Sequence, residues 1–169
     1  TSRTFPGVHP KGAYFTRGSG HNKFGRYTEL PHEYQEVVDR LSRKHAAAAK
    51  YAPAPIVHTE EGATVGVVSL GGCDGGVREA IEELKKQGII CDYLRVRAFP
   101  FADSVETFLR AHTKNFVIEQ NRDGQLRTLL MAETGIEKER LKSLLAYGGF
   151  PLSSHHVVDG IRQQLGSQS

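Results

Sequence analysis

The chain has 169 residues, 38 % of them hydrophobic and 24 % charged, which is ordinary globular material for one domain and an appendage. A formal charge of +3 is too small to point to nucleic acid, and no run approaches the ~18 apolar residues of a membrane span. Two cysteines, Cys73 and Cys91, cannot form a disulfide framework or a four-thiolate site, and they fit small residues of a reducing compartment. No signal peptide opens the chain, so a cytoplasmic location is expected. It begins with Thr1, which fits a processed product, a fragment or an excised domain.

The charge is unevenly spread. The first fifty residues hold nine Lys/Arg against four Asp/Glu, and four of the eight histidines. The segment TFPGVHPKGAYFTRGSGHNKFGRYTELP is broken by prolines and glycines, yet carries Phe5, Tyr14, Phe15, Phe24 and Tyr27. A free tail rarely spends that many aromatics, so residues 1–55 are expected to be an extended basic arm with a linker helix. Tyr14, Phe15, Arg17 and His21 are its candidate interface residues. Tyr34, Val37, Val38 and Leu41 give one apolar stripe to a helix expected over His32 to Tyr51, with Pro53 and Pro55 after it.

Residues 56–169 read as the globular part, because strands and helices alternate from Ala63 on. VGVVSL is a strand with almost no polar interruption, as in a parallel sheet buried on both faces. GGCDGG leads into the helix VREAIEELKKQG, stopped by Gly88. IICDYLRVR is a second strand, and FADSVETFLRAH a helix opened near Asp103 or Ser104. NFVIEQN and QLRTLLMAET form the third pair. RLKSLLAYG is a fourth strand, and SSHHVVDGIRQQL a last helix capped by Ser153 or Ser154. This alternation predicts an α/β fold, a three-layer sandwich with a largely parallel sheet.

Two turns carry candidate chemistry. Gly71, Gly72, Gly75 and Gly76 sit where a phosphate loop would, ahead of a helix N-terminus. The spacing is neither G-x-G-x-x-G nor a P-loop, and Asp74 repels a phosphate while suiting the helix dipole as an N-cap. In EQNRDGQ, Glu119, Asn121, Gly124 and Gln125 lie at the carboxyl end of a strand, where open α/β sheets usually meet ligands or partners. Glu119 and Asn121 flank one residue and share a face if the strand extends that far. Alternatively, Asp123 caps the helix, Gly124 eases the turn and Gln125 is exposed. His155–His156 lacks the i, i+4 spacing of a helical metal pair and reads as polarity near a cap. No catalytic residue and no metal site can be argued from the chain.

The succession VVSLGGCDGGVREAIEELKKQGI, DYLRVRAFPF and FVIEQNRDGQLRTLLMAETGI resembles the C-terminal, transketolase C-terminal-like domain of the alpha subunit of 2-oxoacid:ferredoxin oxidoreductases. FPGVHPKGAYFTRGSGHN resembles the linker entering that domain, and LAYGGFPLSSHHV its closing segment. The E-x-N-x-x-G-Q turn is the most specific part, and the basic arm favours the 2-oxoglutarate type, with pyruvate and branched-chain 2-oxoacids as the alternative substrates. The resemblance implies an enzyme that decarboxylates a 2-oxoacid on thiamine diphosphate with Mg, oxidises the adduct through an iron–sulfur cluster, forms an acyl-coenzyme A and reduces ferredoxin. It also implies that these cofactors are held by other domains or chains, with the thiamine-binding domain of the same subunit and a beta subunit as partners. The isolated chain is then expected to bind no cofactor and to be inactive. The equivalent domain of a transketolase or E1-type dehydrogenase, and a free-standing nucleotide-binding module, are the alternatives.

Overall fold

The computed structural model describes residue 5, residues 7–12 and residues 20–166. The chain divides into two compact units, Thr1–Ala48 and Ala49–Ser169. Tyr14, Phe15 and Arg17 lie outside the described residues.

In the first unit, Asn22 organises a tight turn. Its side-chain oxygen accepts the N–H groups of Phe24 (3.0 Å) and Arg26 (3.2 Å), and a bridge joins His21 to Tyr27. Helix α1 spans Pro31–Ala48. It starts on proline, which gives up no helix hydrogen bond at the first position. It stops three residues short of the expected Tyr51. Of the expected stripe only Val37 is buried, while Tyr34, Val38 and Leu41 are 40–48 % exposed.

The second unit holds β1 (Ile56–His58), β2 (Val65–Leu70), α2 (Asp74–Lys86), β3 (Cys91–Val96), α3 (Asp103–Ala111), β4 (Asn115–Glu119), α4 (Gln125–Thr134), β5 (Leu141–Leu145) and α5 (Ser154–Gly166). The sheet order is β1-β3-β2-β4-β5. The four strands expected from the sequence are the parallel ones, and β1 is an additional antiparallel edge strand pairing Ile56 with Arg95. Strands β2 and β4 are almost wholly buried, which explains how little polar residues interrupt them: Ser69 in β2, and Asn115 and Glu119 only at the ends of β4.

Each face of the sheet carries its own apolar layer. Val67, Tyr93, Phe116 and Ile118 pack with Val77, Ala80 and Leu84 of α2 and Val157 and Ile161 of α5. Val68, Leu94 and Val117 pack on the other face with Val105 and Leu109 of α3 and Leu126 and Leu130 of α4. The result is the expected three-layer sandwich. Gly88 ends α2 as foreseen: at φ 81° it lets Gly88 N–H reach Lys85 O and Ile89 N–H reach Leu84 O, both at 3.0 Å. At the amino ends of the strands, Asn115 is buried and donates to Leu109 O (3.0 Å), while His112 bonds Phe108 O and Asp92.

Candidate functional site: the carboxyl edge of the parallel sheet

Glu119 is the last residue of β4, and its side chain is only 1 % exposed. One carboxylate oxygen accepts the Leu126 N–H at 2.7 Å and the other the Arg127 N–H at 3.1 Å. Asn121 Nδ2 donates to the same carboxylate at 2.6 Å, and Asn121 Oδ1 accepts the N–H groups of Asp123 (3.1 Å) and Gln125 (3.2 Å). These two side chains therefore satisfy the open N–H groups that begin α4, with a negative charge at the positive end of the helix dipole. Gly124 is the residue preceding the helix; its φ of 63° makes the turn, and it offers no capping side chain.

Asp123 does not cap α4. Its carboxylate pairs with Arg122 on the surface, and the capping acid comes instead from seven residues before Leu126. Glu119 faces inward, so it is buried structure at this edge and not a group held toward solvent. Gln125 is exposed and contributes its N–H to Asn121. The residue between Glu119 and Asn121 is the outward one: exposed Gln120 donates to Phe150 O at 3.3 Å and accepts the Cys73 thiol at 3.8 Å. Strand alternation was the signal that could have found it.

The glycine-rich turn is split by the structure. Gly71 (φ 59°) and Gly72 lie in a single 3₁₀ turn ending at Cys73, whereas Gly75 and Gly76 are already inside α2. A Cβ on Gly76 would stand 2.6 Å from Leu152 O, so this glycine lets the loop before α5 pass close to the helix. Asp74 is the first residue of α2 and not its N-cap; that place belongs to Cys73, which makes no side-chain capping bond. The Asp74 carboxylate accepts the Tyr93 hydroxyl (3.0 Å) and lies 3.5 Å from Arg95, which also donates to Gly71 O. Tyr93 in turn bonds the Ser69 hydroxyl at 2.7 Å, and burial, the larger effect, raises its pKa along with the Asp74 carboxylate. Asp103 likewise sits inside α3, after Ala102, while Ser153 caps α5 by accepting the His156 N–H at 3.3 Å.

Both cysteines are buried and free. Burial pushes the Cys91 thiol up to about 11, helped by Asp92, and raises Cys73 too, helped by Glu119. No group of three His, Cys, Asp or Glu able to hold a metal occurs among the described residues. His21 is half-buried and bonds Asn22 O at 2.9 Å, and His156 bonds Leu145 O at 3.1 Å. No described helix is long and apolar enough to cross a membrane.

The surface at this edge mixes exposed polar groups such as Gln120 and the Arg122–Asp123 pair with large hydrophobic side chains. Six large hydrophobic residues of the second unit are exposed: Tyr51, Val57, Leu70, Phe99, Tyr147 and Phe150. Four of them, Leu70, Phe99, Tyr147 and Phe150, end or follow the carboxyl ends of β2, β3 and β5.

Sequence comparison gives this edge its context. The chain is 30 % identical over 153 residues, 88 % of its length, to subunit alpha of 2-oxoacid:ferredoxin oxidoreductase 2 from Aeropyrum pernix. It is 27 % identical over 151 residues to the 2-oxoacid:ferredoxin oxidoreductase alpha subunit of Saccharolobus solfataricus. The chain is homologous to 2-oxoacid:ferredoxin oxidoreductase alpha subunits. It spans about a quarter of the length of these curated relatives, 24 % and 23 %. No protein-family model matches it. Among solved structures, its fold is that of part of the 2-oxoglutarate:ferredoxin oxidoreductase of Magnetococcus marinus, with a TM-score of 0.79 over 95 % of this chain and 28 % of that one, at 24 % identity. A split-gene transketolase shares the fold more loosely, with a TM-score of 0.53 over 66 % of this chain and 41 % of that one, at 18 % identity.

Proposed function

We propose that this chain is a structural and interface domain of a 2-oxoacid:ferredoxin oxidoreductase, of the 2-oxoglutarate type, and that its carboxyl edge docks against the thiamine-binding part of the enzyme. The observation that carries the docking role is the concentration of Leu70, Phe99, Tyr147 and Phe150, with exposed Gln120, at that edge. Large aromatic and aliphatic side chains left in water are costly unless a partner covers them, and aromatics of this kind dominate interface energetics. The homology supports the enzyme, and the buried Glu119, bonded to half-buried Asn121, fits a chain that is not catalytic on its own. The Glu119 carboxylate is 1 % exposed and holds two backbone N–H groups and an amide inside the fold, so it is not presented to a substrate in solution.

The cofactors of such an enzyme do not fit this chain. A diphosphate approaching the glycine-rich turn meets the Asp74 carboxylate at the start of α2, and Arg95 nearby is already paired with it. Two separate buried cysteines cannot supply the four thiolates of an iron–sulfur cluster. In this reading thiamine diphosphate with Mg and the cluster belong to the remainder of the alpha subunit, to a beta subunit or to further chains, coenzyme A reacts in that assembly, and ferredoxin takes the electrons from it. The location in this reading is cytoplasmic.

The test is to purify the chain from its native cell with what accompanies it, and to assay the assembly with 2-oxoglutarate, coenzyme A and a viologen dye. Dye reduction by an assembly that holds thiamine diphosphate and iron–sulfur clusters supports the reading. An assembly with thiamine diphosphate but no cluster would place the domain in a transketolase- or E1-type enzyme instead.

A further inference from the structure

An open five-stranded sheet has two edges, and here the long parallel one is β5. In a parallel pair, successive residues turn their backbone groups alternately toward the neighbouring strand and away from it. Ala146 N–H donates to Glu119 O at 3.0 Å, which directs Lys142 and Leu144 toward β4 and leaves Leu141, Ser143 and Leu145 facing outward. Each of these three outward carbonyls is occupied by a side chain. Arg127 Nε donates to Leu141 O at 2.8 Å, Gln164 Nε2 to Ser143 O at 3.1 Å and His156 Nε2 to Leu145 O at 3.1 Å. A carbonyl only accepts, so His156 Nε2 is the donor in this contact.

The three donors come from both sides of the sheet, Arg127 from α4 and Gln164 and His156 from α5. Arg127 also donates to Lys138 O at 3.2 Å, so its guanidinium bridges the start of the strand to the turn before it. A groove of about 290 Å³ runs here between Arg127, Lys138, Lys142, Ser143 and Gln164. An added strand would have to bring N–H donors to the same three carbonyls past the side chains already bonded there, in a groove lined by three cations, Arg127, Lys138 and Lys142, and the Glu139 carboxylate.

We infer that β5 is a sealed edge: Arg127, Gln164 and His156 close its outward carbonyls, so that neither a second copy of this chain nor an extended peptide can continue the sheet there. The sealing assigns a role to His156 that its pairing with His155 in the sequence did not suggest.

The test is amide hydrogen exchange by NMR on the full chain at two concentrations a hundredfold apart, beside sedimentation velocity. In the wild type, Ser143 and Leu145 amides should exchange at rates independent of concentration. In a Gln164→Ala/His156→Ala variant, which replaces no buried core residue, both amides should become at least tenfold more protected at the higher concentration. Self-association should tighten roughly tenfold per released carbonyl. Concentration-dependent protection of these two amides in the wild type would overturn the inference, because the edge would already pair. So would a folded variant that self-associates no more than the wild type. If the variant does not fold, the wild-type exchange data still decide the question.

Discussion

Replacing Glu119 by Gln tests the cap from within. The substitution keeps the shape but removes the charge and puts an NH2 group among three donors: Leu126 N–H, Arg127 N–H and Asn121 Nδ2. At least one of those contacts becomes donor against donor, in a site that is 1 % exposed. A hydrogen bond to a charged group contributes about 1.5–3 kcal/mol, and the interaction of the charge with the helix dipole adds up to about 2 kcal/mol in partly buried geometry. Losing one such bond and the charge should therefore cost about 2–4 kcal/mol, a fall in Tm of roughly 4–16 °C for a chain of this size. Urea unfolding followed by circular dichroism at pH 7 should show a lower midpoint with an unchanged slope. Asp123→Ala is the control: it removes only the exposed contact to Arg122 and should change stability by less than about 0.5 kcal/mol. If Glu119→Gln cost less than Asp123→Ala, the cap would not be where the structure places it.

Gly76→Ala should destabilise by about 1–3 kcal/mol, because its Cβ would meet the Leu152 backbone oxygen at 2.6 Å, whereas Gly75→Ala meets nothing within 4 Å and should be tolerated; thermal melts of the two variants check this. Alkaline stability should fall from about pH 9 upward: the Cys91 thiol is raised from 9.0 to about 11, so the folded state loses ground once the unfolded thiol ionises, by at most about 3 kcal/mol. In Cys91→Ala that part of the alkaline loss should vanish, as read by urea midpoints between pH 8 and 11. The isolated chain should neither bind thiamine diphosphate nor reduce a viologen with 2-oxoglutarate and coenzyme A; turnover by chain freed of all partners would move catalysis into this domain.

The sequence carried the parallel strands well because β2 and β4 are buried on both faces, and their short, β-branched apolar runs bounded by turn residues read as strands and not as helix. Gly88 was legible as a helix stop because the positive φ of the closing turn demands glycine. Strand β1 was not legible: three residues beside Pro53 and Pro55 carry no period, and only the partner β3 makes them a strand. The helix starts were misread for a different reason. Asp74, Asp103 and Asp123 all look like caps in a linear reading, but an acid in the first turn, or one paired with a neighbouring arginine, has the same local spacing. The actual cap of α4 is non-local, since Glu119 lies across the turn and reaches the helix only once β4 has fixed its position. The same geometry moves attention at this edge from Glu119 and Asn121 to Gln120, Tyr147 and Phe150, which face outward.

The docking role of that edge is tested most directly by Phe150→Asp in the assembled enzyme. Phe150 is 83 % exposed, so the chain alone should fold and melt as the wild type does. Affinity for the thiamine-binding partner, measured by titration calorimetry, should fall at least roughly tenfold, the loss typical of an aromatic anchor at an interface centre. Unchanged affinity and unchanged 2-oxoglutarate-dependent dye reduction in the variant would contradict an interface at the carboxyl edge.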